Sequence, residues 1–261
     1  MSVTMVYDLE TIPDITFGRK LLRLENATDT EVAEALTLRR AAQTQGTSTF
    51  LPHHFHQIVA ISVVVATPEW VKVWSLGDAV ATEAEIIERF FEGIQRYTPN
   101  LVSWNGSGFD LPVLHYRSLL HGVSAARYWE MGDRDQGFKW NNYVSRYHQR
   151  HLDLMDVLAS YQSRAYASLD EISLLLGFPG KLDMAGGQVF DKYQAGKLTD
   201  IRDYCETDVL NTYLIYLRFQ HIRGHLSDTE LAWETERVKQ FLIQANKEHF
   251  SRFLEAWQSH E

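Results

Sequence analysis

The stretch Val3-Thr4-Met5-Val6-Tyr7-Asp8-Leu9-Glu10 decides how this chain folds, because an apolar run leads directly into two carboxylates. The run from Val3 to Tyr7 predicts a strand. Side chains alternate between the two faces of a strand, so Asp8 and Glu10 point the same way. Two adjacent negative charges repel unless a positive group lies between them, and a divalent metal ion is the simplest candidate. Taken alone, the pair is more often a plain acidic strand end at the surface.

The rest of the pattern predicts an α/β domain with a mixed sheet and a helical C-terminal part. We expect a loop around Pro13 and Gly18, then a hairpin whose strands meet at the turn Thr67-Pro68-Glu69. The predicted strands after the first are Gln57–Ala66, Trp70–Ser75, Asn100–Trp104 and a short one near residue 151. The predicted helices are Thr28–Gln45, one starting at Thr82, Asp110–Leu120, Asp153–Tyr161, Ser168–Leu176, Thr199–Phe219, and Ser227–Trp257 as one helix or two.

Length and composition limit the class of protein. With 261 residues, 45% of them hydrophobic, the chain can form one large domain with a core. We expect no membrane span and no secretory signal, and the single cysteine, Cys205, suits a reducing cytoplasm. A net charge of −9 argues against bulk attraction to nucleic acid, although it leaves nucleic acid open as a substrate.

Two more acidic stretches follow. In Trp104-Asn105-Gly106-Ser107-Gly108-Phe109-Asp110, a strand ends, a glycine-containing turn follows and Asp110 opens a helix, where it could simply be the N-cap. In Tyr204-Cys205-Glu206-Thr207-Asp208, the tyrosine and the last aspartate are four residues apart and share one helical face. That pair could equally be a packed tyrosine beside a partnered acid.

Taken together and in this order, the three stretches resemble the three motifs of the proofreading exonuclease domain of family B DNA polymerases. The chain is similar to the DEDDy branch of the DnaQ-like 3′–5′ exonucleases, and the wording from Gly180-Lys181 to Val209 resembles freestanding bacterial relatives of that domain. The resemblance implies an RNase H-like α/β fold with a mixed, mostly five-stranded sheet flanked by helices. It also implies an exonuclease domain over residues 1–220 and a C-terminal helical extension over 221–261, packed on the same domain.

The resemblance further implies a metal-dependent 3′–5′ exonuclease that releases nucleoside 5′-monophosphates from single-stranded nucleic acid, with DNA favoured over RNA. Asp8, Glu10, Asp110 and Asp208 would hold two divalent ions, Mg²⁺ or Mn²⁺. Tyr204 would orient the attacking water, because a phenol with a pKa of about 10 is a poor base at neutral pH. A separate replication or repair protein would be the partner in any proofreading or DNA repair role.

The same resemblance places other residues near the substrate. Leu9 and Thr11 would lie near the 3′-terminal sugar and base, and Asn105 and Phe109 would flank the scissile end. Lys181 could reach a phosphate, or be an ordinary solvated lysine.

Other features belong to no motif. Residues 125–151 interleave basic and aromatic side chains, which could guide a single strand or form a helical insert that contacts a second subunit. We expect a loop rather than a zinc site at the histidines of residues 53–56, because no cysteine or further histidine has ligand spacing nearby. We expect Asp153 to cap a helix and Cys205 to be a small buried side chain.

Two other functions fit the same pattern. A retained fold could only bind nucleic acid or a replication protein, although such proteins usually lose carboxylates. An RNase H-like endonuclease is the second, against which the Tyr-x-x-x-Asp helix favours an exonuclease.

Overall fold

The protein is built on a five-stranded mixed sheet, and this computed structural model describes residues 3–182 and 184–260. In the sheet the strands follow the order β3-β2-β1-β4-β5. β2 is antiparallel to both β1 and β3, whereas β4 is parallel to both β1 and β5. With helices on both faces, this is the predicted RNase H-like α/β fold. The strands are β1 Thr4–Pro13, β2 His56–Ala66, β3 Val71–Ser75, β4 Asn100–Ser103 and β5 His151–Asp153.

Helices cover both faces of the sheet, and α8 is the longest of those in the described ranges. None of the helices there is both long enough and apolar enough to span a bilayer. The helices are α1 Ile15–Leu22, α2 Asp29–Gln43, α3 Glu83–Tyr97, α4 Asp110–His121, α5 Leu154–Leu158, α6 Leu169–Leu175, α7 Val189–Gln194, α8 Leu198–Ile222, α9 Asp228–Ala245 and α10 Glu248–His260.

Strand β1 sends alternate side chains into two separate cores. Val6, on the opposite face from the apolar set, packs in the core that contains the buried residues of α8, so Asp8 and Glu10 also point towards α8. Slipping the register by one residue would exchange the faces and push both carboxylates into the apolar core beside α3 and α4. Each large apolar side chain buried there contributes roughly 1.5–3 kcal/mol, which fixes the register. The apolar set of β1 in that core is Met5, Tyr7 and Leu9.

A β-bulge interrupts the β1–β2 ladder immediately after the two carboxylates. Glu10 pairs with Ala60 while Thr11 pairs with Ile58, which leaves Val59 as the extra residue on β2. A bulge bends its strand and increases the local twist. The ladder is therefore distorted at the point where Asp8 and Glu10 leave the sheet.

The loop expected around Pro13 and Gly18 is wrong. β1 continues to Pro13 and α1 follows almost at once, because the Asp14 carboxylate caps the helix by accepting a hydrogen bond from the Phe17 N–H over 2.8 Å. Gly18 lies inside that helix, and a Cβ there would come within 2.7 Å of the Leu36 Cδ1 atom of α2. The glycine serves close helix packing rather than a turn.

The helical insert expected over residues 125–151 is also wrong. In place of a helix, the segment consists of turns with one short 3₁₀ turn, Gln136–Phe138. Its basic side chains stack on its own aromatic residues: the Arg127 and Arg150 guanidinium groups lie 4.2 and 3.8 Å from the centre of the fully buried Phe138 ring. Several of its charges therefore stabilise the segment itself.

The C-terminal stretch forms two helices, α9 and α10, separated at Asn246, whose φ is 48°. Val238 of α9 and Phe253 and Trp257 of α10 belong to the same core as α8. Both helices therefore pack on the helix that carries Asp208.

Candidate active site

Three separate elements bring four carboxylates to one edge of the sheet. Asp8 and Glu10 come from β1, Asp110 from the start of α4 and Asp208 from α8. Asp8 is half-buried, and the others are only 4% to 7% exposed. Oxygens of Asp8 and Glu10 and the Cys205 sulfur lie within 4.8 Å of one another. The sequence predicted this convergence, and the structure places all four residues as expected.

Burial makes this acidic cluster costly to ionise. It raises the pKa of Asp8 well above its usual range, and the charges of Asp110 and Asp208 raise it further. The Glu10 pKa is also raised well above its usual range, by burial and then by Asp8. Burial raises the Asp110 pKa to about 7 and the Asp208 pKa to about 6. A cation between these groups would remove the repulsion and let all four ionise.

The donor set fits a hard divalent cation. The Asp208 Oδ1 atom is buried and makes no hydrogen bond to any described residue, so it has an unused lone pair inside the cluster. The Cys205 sulfhydryl contacts the Asp8 backbone and carboxylate oxygens, but burial raises the pKa of this thiol well above its usual range. A thiol that keeps its proton is a poor ligand. What remains is carboxylate oxygen, which suits Mg²⁺ or Mn²⁺ better than Zn²⁺.

Tyr204 lies one helical turn before Asp208 and is 7% exposed. Burial, together with the charges of Asp208 and Glu10, raises the pKa of its phenol far above the usual value. The hydroxyl therefore stays protonated at neutral pH. The Lys181 ammonium nitrogen lies 4.0 Å from an Asp208 oxygen and 5.4 Å from the centre of the Tyr204 ring, which puts a positive charge at the rim of the site.

The turn before Asp110 is held by a carboxylate from the neighbouring strand. The backbone N–H groups of Asn105 and Ser107 each donate to one Asp153 oxygen over 2.9 Å. Asp153 also caps α5, as the sequence predicted. Gly106 is required here, because a Cβ at this residue would lie 2.3 Å from the Ser103 Oγ atom.

The structure rules out the N-cap alternative for Asp110. The residue is the first of α4, and Phe109 occupies the N-cap position without capping the helix through its side chain. The Asp110 Oδ1 atom instead accepts a hydrogen bond from the Leu9 N–H over 3.2 Å. Its carboxylate is thereby directed towards β1.

The residues expected near the substrate occupy different environments. Leu9 is 5% exposed and its side chain packs in the core, so its backbone rather than its side chain borders the site. The Thr11 Oγ1 atom hydrogen-bonds His56 Nδ1 over 2.9 Å. Asn105 adopts a left-handed φ of 64° at the head of the turn. Phe109 is half-buried beside that turn.

An aromatic wall beside Phe109 escaped the sequence analysis. The rings of Phe50, His53 and His56 lie 5.6, 5.8 and 5.0 Å from the Phe109 ring, and the His53 Nε2 atom hydrogen-bonds the Gly108 carbonyl over 2.8 Å. Phe50 is 57% exposed and offers its ring to the solvent. Because the two sides are far apart in the chain, no local pattern could have revealed this contact.

Known proteins with similar sequences share part of this chain. Residues 48–257 match the model of a family described as a predicted 3′–5′ exonuclease related to the exonuclease domain of PolB. The large catalytic polypeptide of DNA polymerase epsilon is 28% identical over 147 residues in Aspergillus fumigatus and 27% identical over 144 residues in Saccharomyces cerevisiae. Each match covers 53% of this chain and only 6% of the relative.

A solved structure was also compared with the chain. The family B DNA polymerase from Pyrobaculum calidifontis has a TM-score of 0.49 and 16% sequence identity, over 93% of this chain and 29% of the polymerase.

The family match includes Asp110, Tyr204 and Asp208, whereas Asp8 and Glu10 precede it. The two β1 carboxylates are assigned to the same site by the geometry of the sheet. Since the match extends over more than half of the sequence, the chain belongs to the family of predicted 3′–5′ exonucleases related to the exonuclease domain of PolB.

Proposed function

We propose that this protein is a metal-dependent 3′–5′ exonuclease of the DEDDy type, which releases nucleoside 5′-monophosphates from the 3′ ends of single-stranded nucleic acid, preferably DNA. The observation that carries the proposal is the convergence of four buried or half-buried carboxylates from β1, α4 and α8, with the Asp208 Oδ1 atom left without a hydrogen-bond partner among the described residues.

Each residue of the site has a role in the proposed reaction. Asp8, Glu10, Asp110 and Asp208 hold two divalent ions through carboxylate oxygens. When bound, such ions lower the pKa of a water and stabilise the leaving 3′ oxygen. Tyr204 keeps its proton, because burial and the nearby carboxylates raise its pKa, so its hydroxyl orients the water rather than deprotonating it.

The rim of the site supplies contacts for the 3′-terminal nucleotide. The Lys181 ammonium group, 4.0 Å from Asp208, is placed to contact a non-bridging phosphate oxygen. The half-buried Phe109 and the exposed Phe50 offer rings on which an unpaired base can stack without its sequence being read. Thr11 and the backbone of Leu9 border the terminal sugar, and Asn105 borders the scissile end.

The domain organisation and cellular setting are part of the same proposal. Residues 1–220 form the exonuclease domain, and residues 221–261 form a helical extension that supports α8. A reducing cytoplasm suits the buried, unpaired thiol of Cys205. The partner in a repair or proofreading role would be a separate replication or repair protein.

The test uses single-stranded DNA and RNA oligonucleotides labelled at the 5′ end, with Mg²⁺ or Mn²⁺. We expect a ladder that shortens from the 3′ end and nucleoside 5′-monophosphates as products. Asp8→Asn should abolish the activity, whereas Glu88→Gln, which removes an exposed carboxylate of α3, should not.

Two results would contradict the proposal in different ways. Equal activity in the wild type and in Asp8→Asn would show that the protein is not the nuclease and favour a binding role. Cleavage of a circular or 3′-blocked oligonucleotide would favour an endonuclease.

A further inference from the structure

A cluster of exposed aromatic and arginine side chains lies at the β5 edge of the sheet. The Tyr147 and Tyr161 ring centres are 5.1 Å apart, and the Arg146 guanidinium lies 5.5 Å from the Tyr161 ring. Arg146 also donates a hydrogen bond to the Tyr166 hydroxyl over 3.1 Å. We call these four residues the aromatic–arginine surface. Its three tyrosines are 72%, 37% and 36% exposed, which is unusual for rings that burial alone would favour placing inside.

The backbone beneath this surface is strained. Ser160 and Tyr161 are consecutive non-glycine residues in the left-handed region, with φ of 52° and 59°. Such a conformation costs roughly 1–2 kcal/mol per residue. The Tyr161 N–H donates to the Asp156 carbonyl over 2.7 Å, which holds the turn. A glycine or asparagine at residue 161 would relieve this strain, so the tyrosine ring is presented to solvent at a cost in stability.

A cavity of about 420 Å³ connects this surface with the candidate active site. Asn105, Ser107 and Gly108 of the turn before Asp110 line one end, and Arg146 and Tyr166 line the other. The volume lies within the range of small-molecule and nucleotide sites. A strand whose 3′ end reaches the carboxylates can therefore continue along this cavity towards the surface.

The local charge distinguishes this region from the rest of the molecule. Arg146 forms a two-point ion pair with the Asp156 carboxylate, over 2.6 and 2.5 Å, and its Nη1 atom makes no hydrogen bond to any described residue. Exposed Arg164 lies between Tyr161 and Tyr166 in the chain. In a protein with a net charge of −9, this region supplies the cations that a phosphate backbone needs. Arginine beside stacked rings is the combination that binds unpaired strands without reading their sequence.

We propose that the aromatic–arginine surface and the adjoining cavity bind the single strand on the 5′ side of the scissile nucleotide, with bases stacked on Tyr147 and Tyr161. The inference rests on the proposed exonuclease function and adds to it a length requirement. A strand long enough to reach this surface binds more tightly than one that fills only the carboxylate site.

The test measures binding without catalysis. The full chain in EDTA is titrated into 5′-labelled oligothymidylates, a trimer and a dodecamer, and fluorescence anisotropy gives both affinities. The variant combines Tyr147→Ala with Tyr161→Asn, since asparagine tolerates the left-handed conformation and keeps the turn intact. The control is Trp233→Ala, which removes an exposed ring beneath the Arg237 guanidinium on α9, a helix that contacts β3 at the opposite edge of the sheet.

We expect the double variant to lose about tenfold or more in affinity for the dodecamer, because each stacked base contributes about 1–3 kcal/mol. Its affinity for the trimer should change far less, and Trp233→Ala should bind both oligomers as the wild type does. Its melting temperature should equal or exceed that of Tyr147→Ala alone, because the strain at residue 161 is relieved.

Other results overturn the inference and separate it from the proposed function. Equal dodecamer affinity in the wild type and the double variant would overturn it, even if the protein degrades oligonucleotides. Failure of the wild type to bind the dodecamer more tightly than the trimer would also overturn it. A double variant that changes only the oligomeric state would show a protein interface instead. Length-dependent binding that the double variant loses, without any hydrolysis, would retain this surface and defeat only the exonuclease.

Discussion

The Leu9 backbone N–H donates a hydrogen bond to the Asp110 Oδ1 atom over 3.2 Å, and this contact joins β1 to the start of α4 across the candidate site. One residue on each side of Leu9 carries a carboxylate of the cluster. The hydrogen bond therefore fixes Asp110 relative to Asp8 and Glu10. It also keeps Asp110 buried, where ionisation is costly without a cation.

Asp110→Asn should stabilise the metal-free protein, increasingly as the pH rises. Burial raises the folded-state pKa of Asp110 to about 7, against about 3.9 in an unfolded chain. A raised folded pKa gives stability that is complete below the unfolded pKa and is lost as pH rises through the folded pKa. At about 1.4 kcal/mol per pKa unit, the wild type loses up to ~4 kcal/mol between pH 4 and pH 8. Asparagine keeps the oxygen that accepts from Leu9 and avoids the loss.

The measurement is thermal denaturation in EDTA at about pH 5 and about pH 8. The difference in melting temperature between Asp110→Asn and the wild type should grow with pH. A difference that shrinks towards pH 8 would show that Asp110 is already ionised in the folded protein. Glu88→Gln, on the exposed face of α3, is the control and should show no such trend.

Divalent cations should stabilise the wild type, because only the folded protein brings the four carboxylates together. A cation at a hundred times its dissociation constant adds about 2.7 kcal/mol to the free energy of unfolding. Asp208→Asn should reduce this gain strongly, since the Asp208 Oδ1 atom is the buried oxygen without a hydrogen bond among the described residues. Melting curves with and without Mg²⁺ or Mn²⁺ test this. An equal gain in the wild type and the variant would place the cation elsewhere.

Tyr204→Phe should lower kcat while leaving cation binding intact. The phenol is a positioning group that stays protonated, so its loss removes the orientation of the water and not a ligand. A misplaced reactant costs up to about a hundredfold in rate. Steady-state kinetics gives kcat, and the cation-induced shift in melting temperature gives binding. A variant that loses the shift would indicate that Tyr204 shapes the ion site itself.

The sequence predicted the sheet and the main helices because those depend on local periodicity. The capping boxes at Thr82 and Ser227 start α3 and α9 as expected, with side chains that accept from Glu85 N and Glu230 N. Alternation along β1 also predicted that Asp8 shares a face with Glu10. These features need only neighbouring residues.

The features that the sequence analysis missed depend on contacts between distant residues. Gly18 looked like a turn former, but its role is close contact with Leu36 of another helix. The histidine at residue 53 looked like a loop residue, but it bonds the Gly108 carbonyl. Residues 125–151 carry aromatic and basic side chains that fit a helix, yet they fold around Phe138 instead. Tertiary packing decided each of these cases.

Asp153→Asn should loosen the turn that leads to Asp110. The carboxylate accepts from two backbone N–H groups, those of Asn105 and Ser107, and the amide can accept at only one oxygen. An unsatisfied buried N–H costs about 1–3 kcal/mol, so the free energy of unfolding should fall by this amount, and kcat should fall with it. Asp135→Asn is the matched control, because its carboxylate accepts from the Gly137 N–H but is 42% exposed.

Urea denaturation gives the free energies, and nuclease assays at saturating cation give the rates. The control should lose less stability than Asp153→Asn and keep its activity. An Asp153→Asn protein with normal stability and normal kcat would show that the turn is held without this carboxylate.

Gly106→Ala should destabilise the protein and slow the nuclease, because no space exists for a methyl group at this turn. The added Cβ would lie 2.3 Å from the Ser103 Oγ atom and 2.7 Å from the Tyr7 hydroxyl, both buried beneath the turn. Overpacking of this kind typically costs about 1–3 kcal/mol. The turn would have to move, and Asp110, four residues later, would move with it.

Gly186→Ala is the matched control for this change, since a Cβ at Gly186 meets no atom within 4 Å and its φ is not in the left-handed region. Urea denaturation and nuclease rates compare the two variants. We expect the control to remain close to wild type in both, while Gly106→Ala loses stability and rate together. If Gly106→Ala lost only stability, the position of Asp110 would not depend on this turn.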